Sequence, residues 1–109
     1  MAFNEILAGR IRTLLVDEPD VSEQRMFGGL AFMVGGHMAV TVSGRGGVMV
    51  RTDPADADRP YLADAEPMVM RGRELAGWLH LEPVAIASDE ALAAVVAHGV
   101  AFVRTLPAK

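Results

Sequence analysis

The three histidines have the widest chemical use in this sequence, because imidazole binds metals and titrates near neutral pH. His37, His80 and His98 stand far apart in the sequence, and none has a second histidine or a carboxylate at a metal-binding spacing. We expect His37 and His98 to be solvated and His80 to be partly buried and hydrogen-bonded. With no cysteine in the chain, we expect no metal site and no cofactor.

Two other arrangements could support catalysis, a carboxylate cluster and a nucleophilic serine. Asp53, Asp56 and Asp58 lie close together, but their segment lacks the glycine and the distal glutamate of an EF-hand calcium loop. No serine stands in the G-x-S-x-G context of a hydrolase. We therefore expect no catalytic residues, and hence a protein that is not an enzyme.

Arginine accounts for nine of the ten cationic residues. Its planar guanidinium binds carboxylates and phosphates through paired hydrogen bonds. Arg51, Arg71 and Arg73 lie in or beside predicted strands and are candidate residues for anion binding on a sheet face. A coding bias toward arginine is the alternative explanation of the excess.

The charge balance is acidic, with fourteen acidic residues against ten basic ones and a formal net charge of −4. Proteins held to DNA by phosphate contacts normally carry a basic surplus, so we expect no direct binding of nucleic acid. The first residues do not resemble a secretory signal, and no apolar stretch reaches the ~18 residues of a membrane span. We expect a cytoplasmic protein without membrane contact.

Two segments have the apolar period of amphipathic helices. The first covers residues 4–16, and Asn4 can cap its start. The second begins after Ser88, which is also a capping residue, and it has Gly99 within its apolar stripe. Glycine is unfavourable inside a helix, so its presence there indicates a close approach to the sheet.

Between the helices, apolar residues alternate with a period of two, which predicts strands. A three-stranded antiparallel meander runs from Arg25 to Arg51 after a loop that extends to about Glu23, with turns at 35–36 and 43–47. Strand direction reverses at each turn, so Arg25 and Arg51 should lie at opposite ends of the sheet.

A short helix within 54–65 and a second hairpin over 68–81 complete the order α-β-β-β-α-β-β-α. This order predicts an α+β fold, an antiparallel sheet of about five strands with flanking helices. The length of 109 residues fits one hydrophobic core, so we expect residues 1–109 to form a single domain.

The first strand of the meander is apolar on both faces. One face has Leu30, Phe32 and Val34, and the other has Phe27, Ala31 and Met33. One layer of helices covers only one face of a sheet, and large exposed apolar areas usually mark interfaces. We therefore expect a homodimer formed by the second sheet face or by an exposed strand edge.

Two adjacent glycines, Gly28 and Gly29, lie in a strand-like run, where glycine marks a bulge or the close approach of another backbone. They belong to the sequence Arg25-Met26-Phe27-Gly28-Gly29-Leu30-Ala31-Phe32. Together with the preceding amphipathic helix and the following Gly-Gly hairpin, this sequence resembles the signature of the TfoX/Sxy N-terminal domain family. The similarity extends over nearly the whole chain.

This resemblance implies an α+β domain with a regulatory association with natural competence, and it brings no established catalytic residues. We therefore expect a non-enzymatic regulatory module that binds a protein partner, such as a transcription regulator, with the signature residues 25–29 as the candidate interaction site. The alternative is a protein that binds a small anion, or an enzyme of unrecognised type. The sequence neither supports nor excludes a chaperone-like role.

We predict that the isolated protein does not bind duplex DNA at physiological salt. Its few basic residues are spread along an acidic chain, so few phosphates are neutralised at once. A fluorescence anisotropy titration near about 150 mM salt should show no saturable binding in the micromolar range. A submicromolar Kd would contradict this prediction.

Overall fold

The computed structural model describes residues 4–26, 28–44, 46–53, 55, 60–62, 65–70 and 72–107. Within these residues the chain forms two α-helices, six strands and two 3-10 helices. In chain order they are α1 (Glu5–Leu14), β1 (Val21–Met26), β2 (Gly29–Val34), β3 (His37–Val42), β4 (Val48–Arg51), a first 3-10 helix (Pro60–Leu62), β5 (Glu66–Met70), β6 (Arg73–Leu81), a second 3-10 helix (Pro83–Ile86) and α2 (Asp89–Val103).

Both helices begin at the predicted capping residues. The side-chain oxygen of Asn4 accepts hydrogen bonds from the backbone N–H groups of Ile6 and Leu7, at 3.0 and 3.1 Å. The Ser88 hydroxyl accepts one from the N–H of Ala91 at 3.1 Å. These bonds satisfy donors that have no partner within the helix, which fixes where each helix starts.

The six strands form one antiparallel sheet in the order β1-β2-β3-β4-β6-β5. The α+β class is confirmed, with one strand more than the expected number of about five. The additional strand is β1, which begins at Val21 inside the segment predicted as a loop and ends with Arg25 and Met26, which were predicted as the start of the first strand. Its four central residues are exposed, so it lacks the apolar alternation that predicts a strand. Within 54–65, the structure describes the short 3-10 helix Pro60–Leu62.

The hydrophobic core lies on one face of the sheet, which we call the first face. Ile11 of α1, Val95 of α2 and Leu62 of the first 3-10 helix all pack into it. The strands contribute alternate residues, which are Leu30, Phe32, Val40, Val42, Val48, Val50, Leu79 and Leu81. Both helices therefore cover the same face.

Helix α2 packs very closely on the sheet at Gly99. A Cβ atom at this position would lie 2.6 Å from the carbonyl oxygen of Ala39 and 3.0 Å from Cγ2 of Val50. Real Cβ atoms do not come this close to a backbone oxygen, so only glycine fits. The predicted close approach of helix and sheet is confirmed.

The two signature glycines meet different constraints. Gly28 lies in the turn between β1 and β2 and not inside a strand, and its φ of +75° favours glycine. Gly29 is the first residue of β2, where a Cβ atom would overlap the carbonyl oxygen of Val42 and lie 3.3 Å from the nitrogen of Gly44. The expected close approach of another backbone is thus found at Gly29.

We predict that Gly29→Val lowers the free energy of unfolding by about 2 kcal/mol or more, because the side chain must displace the backbone of β3. Valine normally favours strands, so propensity predicts the opposite sign. Urea unfolding of the purified variant measures the change.

Gly9→Ala is the matched control, because a Cβ atom at Gly9 in α1 has no other atom within 4 Å. This control should raise stability by up to about 1 kcal/mol, since alanine is the better helix former. A Gly29→Val variant as stable as the parent protein would show that the backbone approach is not restrictive.

Candidate functional site

The signature residues lie at one outer corner of the sheet. Arg25 and Met26 end β1, Gly28 lies in the following turn and Gly29 starts β2, while Phe27 lies outside the described residues. Arg25 is exposed and Met26 is half-buried. The signature thus builds the tight connection between the outer strand and its neighbour.

Arg51 ends β4 at the opposite end of the sheet from Arg25, as the strand reversals predict. Its guanidinium carbon lies 5.7 Å from the ring centroid of Trp78 on β6 and 5.6 Å from that of Phe102 on α2. A guanidinium near an aromatic ring is stabilised by the ring quadrupole. The two rings therefore hold the Arg51 side chain where the sheet meets the end of α2.

The next residue, Thr52, connects the same region to His98 of α2. Its hydroxyl oxygen lies 2.6 Å from Nε2 of His98 and donates to the carbonyl oxygen of Asp53 at 3.0 Å. A hydroxyl has one proton, so the imidazole must donate and we assign its proton to Nε2. His98 is half-buried, so the expectation that it is solvated is wrong.

These residues form one group at the sheet end, which we call the Arg51 cluster: Arg51, Thr52, Trp78, His98 and Phe102. His98 and Phe102 are four residues apart, so they lie on one side of α2. Thr52 is 1% exposed, and a substrate therefore has no access to its hydroxyl. These contacts hold the second half of α2 against the sheet. Arg51 is the one permanently charged side chain of the cluster, and it is therefore the candidate residue for anion binding.

Of the other two candidate arginines, Arg73 is described and does not join this cluster. Arg73 starts β6 opposite Met70, five residues before the Trp78 that pairs with Arg51. Five residues of strand span about 16 Å. Arg71 lies outside the described residues.

The remaining histidines occupy separate places. Nε2 of His37 lies 2.6 Å from the carbonyl oxygen of Pro107. His80 is partly buried and hydrogen-bonded, as expected, with Nε2 3.2 Å from the carbonyl oxygen of Gly46. Among the described residues, no group of three or more histidine, cysteine or acidic side chains is placed to hold a metal ion.

The second face of the sheet, opposite the helices, is defined here by Ala31, Met33, Met38, Thr41 and Met49. Strand pairing places Ala31, Thr41 and Met49 in one row and Met33 beside Met38. The three methionines are half-exposed, and none of the five residues belongs to a buried hydrophobic cluster of the described chain. The helices therefore do not pack on the second face, whose central side chains are small or apolar. Strand pairing places Gln24 of β1 and His80 of β6 at the two ends of the Ala31 row.

Thr41 is the unusual residue of the second face. It is 1% exposed, and its hydroxyl oxygen has no hydrogen-bond partner among the residues that the structure describes. Alternation in the sequence places Ala31 and Met33 on this face, but no local pattern indicates that the threonine is buried without a partner.

Comparison with known proteins gives one match. The family model described as TfoX N-terminal domain matches residues 13–103, a range that includes all six strands and α2. No curated protein and no solved structure matches the chain significantly. Over the described residues, the helices are too short or too polar to cross a membrane.

We predict that Thr41→Val raises the free energy of unfolding by about 1 kcal/mol, because it replaces a buried, unpaired hydroxyl with a methyl group of similar shape. Thr52→Val is the matched control, since it removes a hydroxyl with two partners and should cost about 1–2 kcal/mol. Urea unfolding compares the two variants. If both destabilise equally, the Thr41 hydroxyl has a partner in solution.

Proposed function

Because the chain belongs to the TfoX N-terminal domain family, we propose that it is a regulatory module that acts by binding another protein and not by catalysis. The family match suggests a domain of the competence-regulator type. The observation that supports the proposed mode of action is the second face of the sheet, on which the helices do not pack and where Met33, Met38 and Met49 are partly exposed. Apolar side chains that lie side by side at a surface often mark an interaction site.

The composition of the second face suits protein binding. Its apolar side chains are Met33, Met38 and Met49, and methionine is flexible and polarisable enough to fit partner surfaces of different shapes. The smaller Ala31 and Thr41 lie among them. The face thus offers a shallow apolar surface to an apolar segment of the partner.

The net charge of −4 favours a partner with a basic surface. Opposite net charges accelerate association and disfavour wrong partners. Proteins that bind DNA have basic surfaces, so a transcription regulator has the required charge. In this proposal the partner makes the DNA contacts and the present chain binds the partner.

The experiment is affinity capture from the native cell with the parent protein, Met33→Lys and Met49→Lys as baits. Val84→Lys is the matched control, because Val84 is 84% exposed and lies in the second 3-10 helix, which contributes to the core on the first face. We expect one protein to be captured by the parent and the control but lost from both second-face variants. Circular dichroism confirms that each bait is folded. A partner retained equally by all four baits would show that the second face is not the binding site.

A second candidate function, binding of a small anion, is favoured by the position of Arg51 between two rings. A cation–π contact uses the charge of the guanidinium and none of its N–H groups, so these groups can still donate to an anion. A saturable thermal shift with inorganic phosphate that is lost in Arg51→Met but kept in Arg73→Met would support this candidate. A shift unaffected by Arg51→Met would eliminate it.

A further inference from the structure

The two edges of the sheet differ in their capacity to accept another strand. Strand β5 forms one edge and contains Pro67, which has no N–H to donate, and its pairing shifts register between Pro67 and Val69. Proline and register irregularities are common protections against edge pairing. Strand β1 forms the other edge, contains neither proline nor glycine, and pairs with β2 without a shift. The β1 edge therefore has neither a proline nor a register irregularity, and the described residues that could disfavour pairing there are its charged ones, Glu23 and Arg25.

The charges along β1 are self-complementary. Its exposed residues are Ser22, Glu23, Gln24 and Arg25. When two such strands pair antiparallel about a twofold axis at Gln24, residue 23 of each copy lies opposite residue 25 of the other. Glu23 then faces Arg25 of the second copy, and this pair occurs twice. Opposite charges at directly paired positions stabilise a sheet.

The side chain of Glu23 is already fixed in position by two hydrogen bonds. Nε and Nη2 of Arg12 donate to its two carboxylate oxygens at 2.6 and 2.7 Å. This hydrogen bonding holds the pKa of Glu23 below its usual value, so the side chain is an anion at neutral pH. A carboxylate has about four acceptor positions, which leaves room for a second guanidinium.

We propose that two copies of this chain pair through their β1 edges, antiparallel about a twofold axis at Gln24, and join their sheets into one. This fits the symmetry of most homodimers, in which both copies use the same surface. The charge pattern of β1 therefore favours a second copy of this chain as the partner at this edge.

Charge reversal tests this arrangement. Glu23→Arg places two arginines opposite each other, and Arg25→Glu places two glutamates opposite each other, so each should raise the dimer Kd by about tenfold or more. The double variant Glu23→Arg/Arg25→Glu restores opposite charges and should restore the dimer. Sedimentation velocity at several micromolar concentrations gives the Kd, and circular dichroism checks the fold of each variant.

Arg73→Glu is the matched control, because it makes the same charge change at an exposed arginine of β6 and should leave the Kd unchanged. Gln24→Lys is a second test that keeps both charged residues, since it brings two cations together at the axis and should also weaken the dimer. Met33→Lys changes the second face and not the β1 edge, so it should leave the dimer Kd unchanged.

Four outcomes would overturn the proposal. The first three are a parent protein with the mass of one chain at every concentration, single variants that leave the dimer intact, and a double variant that remains monomeric. A dimer dissociated by Met33→Lys alone would place the interface on the second face and would also contradict the proposal. Binding of a partner protein to the second face is measured by affinity capture, and dimer formation is measured by sedimentation. Either proposal can therefore be wrong while the other holds.

Discussion

The close contact between Gly99 of α2 and the backbone of β3 at Ala39 is the constraint on which the rest of the structure depends. Because no side chain separates helix and sheet at this point, α2 lies low over the strands. The residues that flank Gly99 on α2 then reach the end of β4, where Phe102 meets Arg51 and His98 meets Thr52. Both helices pack on this one face of the sheet, and neither packs on the second face.

The features that could be predicted from the sequence are those set by local chemistry. Asn4 and Ser88 cap helices because their side chains bond to nearby N–H groups, and alternation assigned Ala31 and Met33 to the second face. Strand β1 could not be predicted in full, since an exposed edge strand has no apolar alternation. Its strand structure comes from pairing with β2 across the hairpin, which the side chains of β1 alone do not indicate.

The candidate site could be predicted only in part, because it depends on contacts between distant segments. Arg51 was identified as a candidate residue, but its neighbours Trp78 and Phe102 are brought to it by strand order and helix docking. The last hairpin places β6, and not β5, beside β4, which no hydrophobic pattern specifies. The hydrogen bond of His98 could not be predicted either, since its partner Thr52 is forty-six residues away in the sequence.

Pro67 has a consequence for how large an assembly of this domain can become. Strand addition needs an edge that can accept a further strand, and a chain with two such edges can grow into a filament. Here one edge contains the proline and a register irregularity. Pairing between two β1 strands uses the open edge of both copies and leaves only the protected edges at the outside. In the proposed dimer, growth by this route would therefore end at two chains, because the edges left outside both contain the proline.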